Sequence, residues 1–283
     1  MFSNMNVKLF SEERYSFKYG KYAVKKQIGS IHKRERMPCQ DACQSYCNED
    51  GSVVITVLSD GHGDKKHDLS HIGAQIAVST AISLIQEGIK HFPLERYLHH
   101  FLKYDFPRLI VRKWRKQVRS DARKRLGRAY FSQSNSVHIR YGTTLMVVAV
   151  INDYIFFAQL GDGMIVYIGE DGDIELPIYG DDRLRANETF SLASRNAVNH
   201  FRIAQWQRPK DGGFLFLCTD GLVNSFPTDQ DFFEFSISLY FTVKSHPFPK
   251  VVRSLPVWFT EYSAKGSGDD IAAGIIYFQS QQD

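Results

Sequence analysis

The chain has 283 residues, 43% of them hydrophobic and 23% charged, with a formal net charge of +4. That length and apolar content suffice for one core of ordinary size, so a single domain over 1–283 is expected. The positive balance is too mild to imply nucleic-acid binding by the chain as a whole.

At the start, residues 1–10 carry a lone Lys8 and no apolar segment, unlike a secretory signal. No run approaches the roughly 18 apolar residues of a membrane span. The sequence therefore reads as soluble and cytoplasmic. Cys39, Cys43 and Cys47 cluster in CQDACQSYC, with Cys218 apart; the spacing fits no zinc pattern, and a cytosolic chain keeps such thiols reduced. Strand-length apolar runs recur at 53–58, 145–151, 154–160, 164–168, 214–218 and 271–278, rich in Val, Ile and Phe as buried strands are. Asn152-Asp153 joins two of them and Asp171-Gly172 follows a third, so the pairing is antiparallel.

Residues 69–90 place Val78, Ile82, Ile85 and Ile89 on one helical face, and a second, aromatic and basic helical region runs from 94 to 126. The stretch from Arg108 to Arg128 within and just beyond it is dense in Lys and Arg, a face that is either solvated or docks an acidic partner. Further helices are expected over 229–244 and 250–262. Helices covering antiparallel sheets make an α+β fold.

The chemically informative pattern is an apolar strand ending in Asp beside Gly. It occurs at Asp60-Gly61, Gly161-Asp162 and Asp220-Gly221, and Gly268-Asp269-Asp270 stands just before the last strand. Each alone reads as a turn, because Asp and Gly both form turns. A carboxylate at a buried strand end costs desolvation energy unless a cation compensates it. Oxygen ligands select hard ions such as Mg²⁺ or Mn²⁺, and a glycine such as Gly61 lets the backbone carbonyl approach one.

SDGHGD, YGTTLMVVAV, FFAQLGDGMIVYI, LFLCTDGLVNSF and GSGDDIAAGIIYF, preceded by HKRERMPCQDA, resemble the protein phosphatase 2C signatures in their order. The resemblance implies a four-layer α-β-β-α sandwich of two antiparallel sheets flanked by helices, with metals at one end. It implies two Mn²⁺ or Mg²⁺ ions bridged by Asp60, with the Gly61 carbonyl, Asp220 and Asp269 as further ligands and Asp162 as ligand to a third ion. Arg36 corresponds to the phosphate-binding arginine, His62 to the proposed general acid, and Asp41 to an acid usually behind the metals. Gln40 stands where animal members carry Glu and looks similar to bacterial members. Asp270 replaces the usual Asn, Val223-Asn224 replaces a frequent Trp-Asp, and no flap sequence is recognisable between Glu175 and Gln207.

The chemistry that follows is hydrolysis of phosphoserine or phosphothreonine without a covalent intermediate. Cations lower the pKa of water and, with Arg36, neutralise the phosphoryl oxygens. His62 either protonates the leaving alkoxide or hydrogen-bonds a neighbouring carboxylate. Phosphorylated proteins are the expected substrates and a serine/threonine kinase the expected counterpart. A regulatory module that keeps the fold without turnover is the alternative.

Overall fold

The computed structural model describes residues 15–131, 137–179 and 190–280. Strands β1 (Ser16–Phe17) and β2 (Gly20–Gln27) lead into helix α1 (Ser30–Glu35), then β3 (Ala42–Cys47) and β4 (Val53–Ser59). Helix α2 (Ser70–His91) is followed by α3 (Glu95–His100), which passes through a π-helical turn at Phe101–Asp105 into α4 (Phe106–Phe131). Next come β5 (Leu145–Ile151), β6 (Tyr154–Leu160), β7 (Met164–Ile168), β8 (Ile174–Glu175), β9 (Arg202–Gln207) and β10 (Gly213–Cys218). The short α5 (Asp220–Val223), then α6 (Asp229–Ser245), α7 (Phe248–Lys265) and β11 (Ile271–Phe278) complete the order.

One sheet runs β1-β2-β11-β10-β7-β8 and the other β3-β4-β5-β6-β9, and the pairings within both are antiparallel. Side chains alternate across each strand, so the two-residue period of β4 sorts its residues between two cores. Val54 and Leu58 face the other sheet, meeting Leu215, Leu217, Ala272 and Ile276. Ile55 and Val57 face outward under α2 and α4, against Ala77, Ala81, Ile110 and Trp114. On the far side, Phe214, Phe216 and Ile275 pack under α6 and α7 with Phe232, Leu239, Val252 and Phe259. Four layers result, as expected from the resemblance. Both faces of the inner strands are covered, which is why β5 and β6 are buried along their whole length.

The expected helices over 69–90, 229–244 and 250–262 correspond to α2, α6 and α7, and that over 94–126 to α3, the π-helical turn and α4. By length and composition α2 also passes as a membrane span, contrary to the sequence expectation, but 61% of its most apolar window is buried in the fold. Trp114 of α4 pins it by donating Nε1–H to Gly73 O at 2.9 Å.

Candidate metal centre

Strands β4 and β6 both flank β5 and run the same way, so Asp60 and Asp162 emerge at the same end of one sheet. In the facing sheet β10 runs towards that end and the antiparallel β11 leaves it, which brings Asp220 and Asp269 there too. The carboxylates of Asp60, Asp162 and Asp220 come together, with one oxygen of each within 4.8 Å of the others. Asp269 stands in a neighbouring group with His32 and Asp270, again within 4.8 Å.

Backbone contacts fix the direction of Asp60. Its N–H donates to Thr144 Oγ1 at 2.9 Å, and its carbonyl accepts from Thr144 N at 2.8 Å and Thr143 Oγ1 at 2.6 Å. Gly61 is wedged between two chain segments: a Cβ there would lie 2.7 Å from Gln40 O and 2.9 Å from Ser70 C. Only glycine fits without moving one of those backbones. Gly161 takes φ 112°, a left-handed turn that delivers Asp162 from the end of β6. Asp220 opens α5 and accepts from Asn224 Nδ2 at 3.1 Å. Asn224 thus steadies the carboxylate where the family pattern often has Asp.

Behind the cluster, Asp41 is 1% exposed and accepts from Thr219 Oγ1 at 2.7 Å. Asp270 is likewise buried, and both of its oxygens are engaged. Oδ1 accepts from Gly29 N at 2.6 Å, while Oδ2 accepts from Gln40 N at 2.6 Å and lies 2.8 Å from His32 Nδ1. Asp269 is the exposed member of the pair. Asp270 therefore ties α1 and the Gln40 segment to β11, while among the described residues both carboxylate oxygens of Asp269 are free of any such backbone tie to α1 or Gln40.

Burial, and then the charges of Asp41 and Asp220, hold the Asp60 carboxyl well above the usual carboxylate range. Burial pushes Asp220 up to about 6, and burial also raises Asp41 and Asp269. Asp270 moves the opposite way, its burial outweighed by hydrogen bonds from His32, Gly29 and Gln40. Crowded carboxylates that resist ionisation are what a hard cation relieves. The donor set fits Mn²⁺ or Mg²⁺. No cysteine belongs to either group among the described residues.

Arg36 caps α1 in the left-handed region, with φ 57° and ψ 33°, and its side chain is exposed. His62 is half-buried with its ring 4.9 Å from that of His67. Burial, then His67 and Lys66, lower its pKa to about 4. His32, Thr143, Thr144 and Thr219 support the site without having been singled out from sequence, and Asn224 was noted there only as a departure from the family pattern. Their sequence signal was their place within the phosphatase-like blocks. Of the segment between Glu175 and Gln207, residues 180–189 lie outside the described ones.

The family model for protein phosphatase 2C matches residues 28–255. A search of the curated proteins finds no significant match. Among solved structures, the S. agalactiae serine/threonine phosphatase is similar, 20% identical over 92% of this chain and 100% of that one with TM-score 0.57. PppA of Pseudomonas aeruginosa, described as a key regulatory component of T6SS, is 18% identical over 93% and 99% with TM-score 0.59. The catalytic domain of the serine/threonine protein phosphatase PstP, solved with two manganese ions, is 16% identical over 92% and 99% with TM-score 0.57. The four-layer sandwich, the carboxylates at one end of it and the match over most of its length together mean that this chain belongs to the protein phosphatase 2C family of metal-dependent protein serine/threonine phosphatases.

Proposed function

We propose that Asp60, the Gly61 carbonyl, Asp220 and Asp269 would hold two Mn²⁺ or Mg²⁺ ions, with Asp60 serving both, and that Asp162 would contribute to a third site. The observation that carries this reading is the convergence of Asp60, Asp162 and Asp220 within 4.8 Å on strands from both sheets. When bound, the ions supply a water of lowered pKa for in-line attack on phosphorus. Asp41, held by Thr219, adds negative charge behind the ligands without joining them.

Arg36 grips the phosphoryl oxygens through its fork of N–H donors. The left-handed turn at Arg36 ends α1 four residues before Gln40, whose N–H is anchored on Asp270, and that proximity along the chain supports the reading. His62 donates a proton to the departing serine or threonine oxygen. A phosphate dianion brought beside the ring favours its protonated form.

The substrates are phosphoproteins in the cytoplasm, where the enzyme opposes a serine/threonine kinase. A fold kept only for regulation would not need the full carboxylate set. The test is a phosphothreonine-peptide assay on purified protein. EDTA abolishes turnover and added Mn²⁺ restores it; activity that survives thorough chelation refutes the metal mechanism.

A further inference from the structure

Beside His62 opens a cavity of about 560 Å³ whose walls include Lys66, Arg115, Arg119, His138 and Arg195, with no carboxylate among its described lining residues. Two others share lining residues with it. One of about 670 Å³ shares Arg115 and Arg119 and follows α4 past Arg108 and Arg112. The other, about 620 Å³, shares His62, Lys66 and Arg195, and its one acidic lining residue, Asp64, is paired with Lys66 at 3.1 Å. A basic groove thus runs from the catalytic histidine along the arginine-rich face of α4.

The groups in this groove are held at a cost. Arg115 donates Nη2–H to Ser194 O at 2.6 Å, but its Nε is buried without a hydrogen-bond partner, as is Nε2 of His138. Burial and the neighbouring Arg119 disfavour the charge on Arg115, and burial with Arg119 and Arg115 pushes His138 down to about 4. Like charges gathered in a partly desolvated cavity repel, and a bound anion removes that penalty. Guanidinium groups side by side suit a phosphate dianion, which they grip bidentately, better than a single carboxylate.

His62 follows Asp60-Gly61 directly and forms part of the cavity wall. Through His62 the cavity adjoins the loop that carries Asp60, so an extended peptide, at roughly 3.3 Å per residue, can run from the carboxylate cluster towards the arginines. We propose that this basic cavity docks a second phosphate of the same substrate, so that the enzyme prefers protein segments phosphorylated at two sites a few residues apart. The proposal rests on the phosphatase reading above and adds the class of substrate.

The test compares three phosphothreonine peptides that carry phosphoserine, Glu or Ala at a second site a few residues away, with kcat and KM measured at saturating Mn²⁺. The doubly phosphorylated peptide is expected to exceed the Ala peptide about tenfold in kcat/KM, mainly through KM, with the Glu peptide between them. Arg119→Gln changes an exposed side chain. It and Arg115→Gln should reduce that advantage to roughly threefold or less, while turnover of p-nitrophenyl phosphate, which has no second anion, stays within about twofold. Should Arg115→Gln fail to fold, Arg119→Gln and Arg195→Gln read the same effect. Equal kcat/KM for the doubly phosphorylated and Ala peptides, or an advantage that survives in these variants, overturns the proposal. Absence of Mn²⁺-dependent p-nitrophenyl phosphate turnover in the wild type strikes the underlying phosphatase reading instead.

Discussion

Replacing Asp270 with Asn tests whether the tie beneath the metal centre is held by charge. The wild-type carboxylate receives Gly29 N at 2.6 Å on one oxygen, and Gln40 N at 2.6 Å with His32 Nδ1 at 2.8 Å on the other. Asparagine offers a single oxygen. Whichever way the amide turns, the N–H of Gly29 or of Gln40 meets an NH₂ donor, and that buried donor loses its partner. An orphaned buried donor costs roughly 1–3 kcal/mol, and loss of charge assistance adds to it, so a destabilisation of about 2–4 kcal/mol is expected. In a domain of this size that lowers Tm by roughly 5–12 °C. The pair also sets a pH dependence. The carboxyl of Asp270 is held below its ordinary range, so its contribution is present above that range and lost only in strong acid. His32 is raised, chiefly by its bond to Asp270, so its contribution is complete below the ordinary histidine value of about 6.5 and fades as pH climbs through the raised value. Wild-type stability should therefore decline as pH rises above about 6.5, and Asp270→Asn should lack most of that slope. Thermal unfolding followed by circular dichroism at pH 6 and pH 8, with Mn²⁺ saturating, decides it. A variant within about 0.5 kcal/mol of wild type, or one with the same slope, refutes the reasoning.

Three further outcomes follow from the carboxylate assignments. Asp60→Asn should damage turnover more than Asp220→Asn or Asp269→Asn, since a bridging carboxylate serves both ions; near wild-type kcat in Asp60→Asn with metal bound removes that role. Asp162→Ala should keep two tightly bound ions and lose turnover on protein substrates, and calorimetric titration with unchanged stoichiometry at high Mn²⁺ contradicts it. His62→Gln should lose about 10² or more in kcat on a phosphoserine peptide but much less on p-nitrophenyl phosphate, whose leaving group needs no proton. Equal losses on the two substrates eliminate the general acid.

The strands legible in the sequence are those covered on both faces. β4, β5, β6 and β10 are buried throughout, so their sequences are nearly unbroken apolar runs. β9 is half-buried at almost every position, and β2 carries Lys21, Lys25 and Lys26, so neither stands out as apolar or strictly alternating. Helix α1, at six residues, is too short to show a period. The aspartates were visible because a charged residue ending an apolar strand is costly. That Asp270 is tied to the N-terminal segment was not, because neighbours share the same local pattern. Its partners are Gly29, His32 and Gln40, more than two hundred residues away in sequence. Likewise the arginines of α4 were plain, but their position beside His62 depends on how α4 lies across the sheet.

The place of β11 between β2 and β10 has a consequence for assembly. Its partners are Gly20–Gln27 on one side and Gly213–Cys218 on the other, so the sheet closes only when segments some two hundred and fifty residues apart meet. Contacts of such separation are entropically late. During synthesis β2 and β10 emerge first, each with an open edge, and Asp269 and Asp270 arrive with the strand that joins them. The carboxylate site therefore completes in the same event that seals the sheet. A chain stalled before Asp269 exposes two unpaired edges and lacks the Asp270 tie to Gly29 and Gln40, which makes it prone to aggregate.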